Sequence, residues 1–312
     1  MQTNAVVFLM GPTASGKTGL AVELARRLQA DIVSVDSAMV YRGLDIGTAK
    51  PDAATLAAAP HRLIDIRDPA QAYSAADFCR DARAAIAAIH AAGRLPLLVG
   101  GTSLYFSALE HGLSPLPKAD AGIRAAIEQQ ARQQGWAAMH RRLAVLDPPT
   151  GARIHPNDRQ RIQRALEIHA LTGQAPSMIY AARAKPALPW PLLKLALVPA
   201  ARQVLHERIN TRFQHMLAAG LYAEVEKLYA RPDLNSRLPA IRAVGYRQLW
   251  RVIAGEWTME QGVERAIIAS RQLAKRQLTW LRRDDEVHWL DSGMDNLSQF
   301  VVKLIDSWYK AL

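Results

Sequence analysis

The segment Gly11–Thr18 contains the residues whose types and spacing most directly indicate chemistry. It reads Gly-Pro-Thr-Ala-Ser-Gly-Lys-Thr and fits the pattern Gly-x-x-x-x-Gly-Lys-Ser/Thr in full. In such a loop the glycines let backbone N–H groups turn inward, the following helix presents its positive end, and the lysine adds a mobile cation. The threonine hydroxyl can hold Mg²⁺. The pattern therefore predicts a cradle for a di- or triphosphate, formed by Gly11, Pro12, Thr13, Ala14, Ser15, Gly16, Lys17 and Thr18.

Two flanking elements must position this loop. The apolar run Ala5–Met10 predicts a short strand that leads in, and the repeat of Leu20, Leu24 and Leu28 predicts a helix that leads out. A chance glycine-rich turn is the alternative, but it would require neither flank. We therefore interpret the segment as a phosphate-binding loop, whose ligand need not be a nucleotide.

Two further polar residues stand at the ends of predicted strands. Asp36 ends the predicted strand Asp31–Asp36, and Thr102 follows Gly100-Gly101 after the predicted strand Leu95–Val99. Ligands bind at the carboxyl edge of an open α/β sheet, so both side chains could face the phosphate loop. Capping of a turn or helix is the alternative for each of them. The strand before Thr102 lacks the terminal acid with which ATPases hold Mg²⁺, and this disfavours vigorous ATP hydrolysis.

Two proline-containing segments divide the chain of 312 residues into a core and an insertion. The segments Ser114–Pro117 and Pro186–Pro191 bracket helical patterns, and Leu192–Val198 predicts a strand that returns to the sheet. We predict an α/β fold with a parallel sheet core like that of P-loop NTPases, a helical insertion domain and a helical C-terminal region. The predicted bounds are 1–117 for the first part of the core, 118–190 for the insertion, and 191–312 for the rest of the core with basic helices.

Finer patterns predict individual elements. His61–Ile66 is interpreted as a short third strand, and Asp147-Pro148-Pro149 as a break between helices. Asn157–Ile168 is predicted to open a helix with an Asx cap, and Arg265–Arg283 to form another helix.

The charge of the chain indicates a polyanionic partner. The net charge is +11, from 39 Lys and Arg against 28 Asp and Glu. A generally basic proteome is the alternative, but the charge is clustered, since Arg265–Arg283 contains six basic residues and no acid. Arg161 and Arg164 share a helix face that could grip phosphates or could simply be solvated.

Composition excludes several classes of protein. Cys79 is the single cysteine, so the chain can form neither an internal disulfide nor a cysteine-based metal site. No apolar stretch approaches the roughly 20 residues of a membrane span. The N-terminus has no basic residue before its short apolar run, unlike a signal peptide. We expect a cytoplasmic monomer with no membrane partner.

These residues together resemble the tRNA dimethylallyltransferases, also called tRNA isopentenyltransferases, over nearly the whole chain. Arg159 departs from the family, which commonly has proline there, and the single cysteine cannot supply the C-terminal zinc finger of eukaryotic members. The chain therefore resembles the bacterial form. The matching blocks are Gly11–Thr18, Asp36-Ser37, Gly43–Pro51, His61–Leu63, Tyr73–Ala75, Gly100–Thr102, Asn157–Glu167, Ala243–Arg247 and Thr279–Arg282.

The resemblance implies a prenyl transfer. A dimethylallyl group would pass from dimethylallyl diphosphate to N6 of the adenosine on the 3′ side of the anticodon in tRNA, with Mg²⁺ required. Asp36 would be the general base, assisted by the Thr102 hydroxyl, because a purine amino group is a poor nucleophile. Lys17, the loop amides, Mg²⁺ at Thr18, and Arg212 would stabilise the departing diphosphate.

Arg208 lies one helical turn from Arg212, and the sequence leaves open which guanidinium contacts the diphosphate. The resemblance also implies that the target adenosine is flipped out of its stack. The residues that would contact tRNA are Asp36, Ser37, Ala38, Met39, Thr102, Arg124, Gln160, Arg161, Ile162, Gln163, Arg164, Arg242, Ala243, Val244, Gly245, Tyr246, Arg247, Lys275, Arg276, Gln277, Leu278, Thr279, Trp280, Leu281 and Arg282.

Two other functions are compatible with parts of the sequence. A nucleoside or small-metabolite kinase shares the phosphate loop and an acid after the second strand, but has no use for the basic insertion. A non-catalytic RNA-binding protein could retain a relict phosphate loop. Retention of Lys17, Thr18, Asp36 and Thr102 together argues against such decay.

Overall fold

The computed structural model describes residues 4–182 and 188–312. The chain divides into two compact units. The core unit comprises the residues up to Ser107 together with Pro189–Leu312, and the insert unit comprises Ala108–Leu188. The prolines near position 115 lie beyond the first boundary, so the insert unit begins earlier than the predicted residue 118. Part of the predicted Pro186–Pro191 break, residues 186 and 187, lies outside the described residues.

The core unit is built on a parallel β-sheet, as predicted. In the described part of the chain the sheet has six strands in the order β3-β2-β4-β1-β5-β6, and every pair of neighbours runs parallel. A parallel sheet is covered on both faces, which accounts for strands that are apolar throughout. The strands are β1 Val6–Met10, β2 Ala30–Val35, β3 His61–Arg62, β4 Leu95–Gly100, β5 Leu192–Val198 and β6 His288–Asp291.

Helices surround this sheet and form the insert unit. No helix in the described ranges is long and apolar enough to cross a membrane. The helices of the first stretch are α1 Lys17–Arg27, α2 Ala53–Ala58, α3 Ala75–Ala91 and α4 Ser103–His111. Those of the insert unit are α5 Ala121–Gln134, α6 Trp136–Leu146, α7 Pro148–Arg153, α8 Arg159–Thr172 and α9 Pro176–Ala181. After β5 come α10 Arg202–Ala218, α11 Leu221–Tyr229, α12 Tyr246–Ile253, α13 Met259–Leu281 and α14 Leu297–Lys310.

Side chains of β1 alternate between the two covered faces. Val7 and Leu9 pack in one buried cluster with residues of α1 and α14, including Leu24 and Ile305. Phe8 points to the opposite face, where its ring lies 4.8 Å from that of Phe106 in α4. The period of two along a strand thus buries every residue of β1 without a polar face.

Three strands end in one row at the carboxyl edge of the sheet. Gly100, the last residue of β4, pairs with Met10 of β1 on one side and with Val35 of β2 on the other. A Cβ atom at position 100 would lie 2.1 Å from the Val35 carbonyl oxygen. Glycine at this position therefore lets β2 and β4 approach closely at their ends, just before Asp36 and Thr102 in the chain.

The insert unit has an apolar core of its own, which includes Ile127, Met139, Leu143 and Ile162. Beside this core lies the fully buried carboxylate of Glu167 in α8. Arg124 of α5 donates to it through Nε at 3.0 Å and Nη2 at 3.1 Å, and Arg164 donates through Nη1 at 2.8 Å. The backbone N–H of Asp120 adds a further bond at 2.8 Å. Glu167 therefore joins α5 to α8 by charge-assisted hydrogen bonds.

Several predicted elements differ from those observed. The third strand stops at Arg62 rather than Ile66, because Leu63 and Asp65 adopt left-handed conformations with φ of 66° and 57°. Asp147-Pro148-Pro149 separates α6 from α7, as predicted, and it also begins α7, since Asp147 accepts a hydrogen bond from Thr150 N and proline is favoured in a first helical turn. The predicted helix 265–283 is α13, which begins earlier, at the Thr258 cap, and ends at Leu281. Strand β6 was not predicted.

The contact between β2 and β4 predicts a selective effect of added methyl groups. Gly100→Ala should lower the free energy of unfolding by about 1–3 kcal/mol, since neither backbone can move aside without breaking the ladder. Gly19→Ala in α1, where a Cβ would have no neighbour within 4 Å, is the matched control and should leave stability unchanged or slightly higher. Urea unfolding measures both. Equal midpoints for Gly100→Ala and the parent chain would contradict the close approach.

Candidate active site

The phosphate loop lies between β1 and α1, as predicted. Gly11 leaves β1 where a Cβ would lie 2.4 Å from the Leu197 carbonyl oxygen of β5. Ala14 and Gly16 both have positive φ, 63° and 95°, and Gly16 immediately precedes α1. The helix therefore points its N-terminus at the loop, with Thr18 exposed in its first turn.

Lys17 is folded back into the loop. Its Nζ donates to the Pro12 carbonyl oxygen at 2.7 Å and to Ser15 Oγ at 3.4 Å. The pKa of Lys17 is lowered to about 7, chiefly because burial disfavours the ammonium form. Repulsion from Arg212 adds to the lowering of this pKa, and attraction to Asp36 opposes it. These three side chains therefore share one electrostatic environment.

The structure distinguishes the two arginines that the sequence left open. Arg212 Nη2 donates to the Thr48 carbonyl oxygen at 3.3 Å, and burial lowers the pKa of its guanidinium while Asp36 opposes the shift. Arg208 Nη1 donates instead to Ser292 Oγ at 2.8 Å. Arg208 also lines a cavity of about 550 Å³ that borders the phosphate loop. Arg212 is thus the guanidinium coupled to Lys17 and Asp36.

Asp36 and Thr102 are brought together at the end of β2. Asp36 Oδ1 accepts hydrogen bonds from Ala38 N at 2.8 Å and Met39 N at 3.2 Å. Thr102 Oγ1 accepts from Ser37 N at 3.1 Å, and Thr102 N donates to Val35 O at 3.3 Å. Asp36 thus does cap a turn, as the alternative interpretation held. Among the described residues, however, its Oδ2 atom accepts no hydrogen bond and is available to a ligand.

The loop that contains Thr48 is held by a carboxylate that sequence reasoning missed. Glu224 of α11 accepts hydrogen bonds from Asp45 N at 3.0 Å, Ile46 N at 2.8 Å and Gly47 N at 3.2 Å. Tyr246 OH donates to the same carboxylate at 2.5 Å. An isolated acid in an amphipathic helix gives no signal of such a role in the sequence. Glu224 fixes the loop whose Thr48 carbonyl holds Arg212.

The core unit exposes part of the predicted tRNA surface and buries the rest. Tyr246, Gln277 and Leu281 are buried, and their contact with tRNA stays a prediction. Each faces the interior of the unit because it occupies the packed side of α12 or α13. Gly245 is buried, and Ala38, Met39, Ala243, Val244, Leu278 and Trp280 are partly buried. Ser37, Arg242, Arg247, Lys275, Arg276, Thr279 and Arg282 are exposed.

Gln277 joins two loops of the site instead. Its Oε1 accepts a hydrogen bond from Thr13 N at 2.9 Å, and its Nε2 donates to the Gly101 carbonyl oxygen at 2.8 Å. The side chain therefore spans from the phosphate loop to the turn before Thr102. A helical phase alone places Gln277 near a basic face and cannot reveal that its amide points inward.

The insert unit likewise exposes only some of its predicted contacts. Ile162 is fully buried in the apolar core of the unit, and its contact with tRNA stays a prediction. The guanidinium groups of Arg124 and Arg164 are committed to Glu167, because a buried carboxylate needs charged partners. Gln163 Nε2 donates to the Arg124 carbonyl oxygen and to Glu128, both at 3.3 Å. Gln160 and Arg161 are exposed.

A basic cluster extends the exposed surface of the core unit. Arg247 is exposed but partly covered, and its pKa is lowered first by this partial burial and then by repulsion from Arg242, Arg251 and Arg276, so these guanidiniums lie close together. Arg251 and Arg265 both stack on Trp257, with guanidinium carbons 4.7 Å and 4.5 Å from the ring centroid. Sequence reasoning missed Arg251 and Trp257, although an aromatic between basic residues is typical of nucleic-acid surfaces.

Comparison with known proteins agrees with this geometry. A full-length tRNA isopentenylpyrophosphate transferase from Bacillus halodurans is 38% identical over 99% of both chains, with a TM-score of 0.72. A tRNA Δ(2)-isopentenylpyrophosphate transferase from Staphylococcus epidermidis is 32% identical over 99% of this chain and 100% of that one, with a TM-score of 0.70. A eukaryotic dimethylallyltransferase that acts on tRNA is 25% identical over 98% of this chain and 80% of its own, with a TM-score of 0.82.

The family profile of the IPP transferases matches residues 39–284, which is well over half of the chain. The matched range contains Thr102, Arg212 and the helix that carries Gln277. By this match and by its similarity to solved relatives along its length, the chain belongs to the IPP transferase family.

Proposed function

We propose that this chain transfers a dimethylallyl group from dimethylallyl diphosphate to N6 of the adenosine on the 3′ side of the tRNA anticodon, releasing diphosphate. The observation that carries the proposal is the meeting of a cationic phosphate loop with Asp36 and Thr102 at one edge of the sheet. Similarity to solved proteins described as acting on tRNA supports the choice of acceptor.

The acid–base chemistry belongs to Asp36 and Thr102. The turn amides hold the Asp36 carboxylate by Oδ1, which leaves Oδ2 to accept the N6 proton as the new bond forms. Thr102 Oγ1 accepts from Ser37 N, so its own proton remains to be donated at the reacting centre. Asp36 thus supplies the acceptor for the proton of the amino group that attacks carbon, and Thr102 supplies a hydrogen-bond donor beside it.

The leaving group is handled by the phosphate loop. As the bond from N6 to carbon forms, the bond from carbon to oxygen breaks and the diphosphate departs with the electron pair. Lys17, the loop amides and Arg212 would bind the negative charge that develops there. Thr18, exposed in the first turn of α1, would hold Mg²⁺ together with diphosphate oxygens, and the ion would add positive charge.

Each unit offers basic residues to tRNA. In the core unit, mutual repulsion between Arg242, Arg247 and Arg276 is relieved when phosphates bind, and Trp257 offers a face for stacking. In the insert unit, the Arg161 side chain is 76% exposed and lies 3.5 Å from its nearest acid, Asp158. We place the reaction in the cytoplasm, where tRNA is found.

Asp36→Asn tests the assignment of the base. Asparagine keeps the Oδ1 atom that holds the turn, so prenyl transfer should fall by about 10²–10⁴-fold without loss of structure. Transfer is measured with radiolabelled dimethylallyl diphosphate and unmodified tRNA, followed by digestion and detection of labelled adenosine. Asp36 also raises the pKa of Lys17, so its loss lowers that pKa further, and donor affinity is therefore compared between the two proteins over a range of pH. Asp306→Asn, at an exposed site on α14, is the matched control. Normal turnover by Asp36→Asn would refute the assignment.

Lys17 makes donor binding depend on pH. Its folded-state pKa is lowered to about 7, so most free protein carries a neutral amine at about pH 8. A bound diphosphate favours the ammonium form, and binding should therefore take up close to one proton at that pH and almost none below about pH 6. Calorimetry in buffers of different ionisation enthalpy measures the uptake, with Lys17→Met as control. Heats that do not depend on the buffer would show that Lys17 is already charged in the free site.

Arg161 and Arg164 should separate RNA binding from stability. Arg161→Ala should weaken tRNA binding and reduce the slope of log K against log salt by about one, because one phosphate contact is lost. Arg164→Ala should instead lower the unfolding free energy by on the order of 1–3 kcal/mol, because buried Glu167 loses a charged partner. Salt-dependent binding and urea unfolding are measured on both variants. An unchanged salt slope for Arg161→Ala would show that Arg161 makes no phosphate contact and is simply a solvated residue.

A further inference from the structure

Gln277 lies where α13 meets the site, on the buried side of a helix whose other side is basic. Its side chain is 9% exposed, whereas its neighbours Lys275 and Arg276 are exposed. Its amide makes one bond to each of two glycine-rich turns, through Thr13 N and Gly101 O. These turns carry Lys17 on one side and Thr102 on the other. One amide group therefore bridges the phosphate loop and the turn that precedes Thr102.

Gly101 makes room for this amide. A Cβ at position 101 would lie 2.3 Å from Gln277 Nε2 and 3.2 Å from the Gly11 carbonyl oxygen. The bare backbone at Gly101 therefore admits the Gln277 amide and the start of the phosphate loop at the same place. The contact joins the backbone of Gly101 to the end of the Gln277 side chain.

The phosphate loop also needs such support because its shape is strained. Ala14 has a φ of 63°, a left-handed conformation that costs a non-glycine residue on the order of 1 kcal/mol. The backbone N–H of its neighbour Thr13 donates a hydrogen bond to Gln277. Ala14 itself packs against a buried cluster that includes Leu205 and Ala274, as does Leu278. Helix α13 thus contacts the strained turn both by packing and by a hydrogen bond.

We propose that Gln277 is a positioning residue that holds the phosphate loop in its anion-binding shape before the donor arrives. This inference rests on the proposed function for the identity of the donor. A loop that is already ordered loses less conformational freedom on binding, so its affinity for diphosphate is higher. Loss of the two bonds lets the Thr13–Ala14 turn relax, and the amides that should face the diphosphate then have to be reordered by the ligand.

The test compares Gln277→Met with Gln272→Met. Methionine has nearly the length of glutamine but forms neither bond, and Gln272 is an exposed glutamine on the same helix. Gln277→Met should raise the donor KM and the Kd for inorganic pyrophosphate about tenfold, the equivalent of one good hydrogen bond. The tRNA Kd and its salt slope should stay at the parent values. Gln272→Met should change none of these quantities.

A double-mutant cycle with Gly101 identifies the contact itself. Gly101→Ala should displace the Gln277 amide and so weaken pyrophosphate binding without any change to Gln277. The double variant should then be no weaker than the weaker single variant, because both changes remove the same clamp. Losses that simply add would show that Gly101 and Gln277 act independently and would overturn the proposal.

The possible outcomes separate this inference from the function on which it rests. Donor and pyrophosphate affinities within twofold of the parent in a stably folded Gln277→Met would refute the positioning role. If Gln277→Met lowered tRNA affinity alone, Gln277 would be a contact for RNA, and the positioning role would also be refuted. If the parent chain binds pyrophosphate but transfers nothing to tRNA, the proposed function fails, while the pyrophosphate comparison still decides whether Gln277 holds the loop.

Discussion

The site depends on the alignment of three parallel strands, which end side by side at Met10, Val35 and Gly100. Each strand is followed at once by a residue or loop that could do chemistry, so the row converts three distant parts of the sequence into one surface. The approach is possible because position 100 has no side chain. A methyl group at position 100 would push β2 and β4 apart and would so separate Asp36 from Thr102.

Electrostatics at this edge favour an anion before one is bound. Lys17 and Arg212 are both held in surroundings that disfavour their charge, and burial lowers both pKa values. Asp36 is the acid that opposes these shifts, and its carboxylate is shared with turn amides. A polyanionic ligand would give both cations a favourable partner. Its binding would therefore stabilise the charged forms that burial disfavours in the free protein.

The residues that follow strands could be predicted from sequence, whereas their supports could not. Asp36, Thr102 and Lys17 stand beside apolar runs and glycines, which are local signals that survive without a structure. Gln277, however, reaches Thr13 across 264 positions of the chain, and Glu224 reaches Gly47 across 177. Helical periodicity tells which face a residue occupies but not what it meets there. The resemblance likewise implied RNA contacts for Arg164 and Gln277, and it could not show that their polar groups are used internally.

The long separation of Glu224, Arg212 and Gln277 from the loops they hold has a consequence for biosynthesis. All three lie in the last third of the chain, while the phosphate loop, Asp36 and Thr102 are made in the first third. On the ribosome the phosphate loop therefore emerges long before the residues that hold the site in place. Strand β5, which flanks β1, also comes late. A nascent chain would carry the signature of the enzyme without its working geometry until translation is nearly complete.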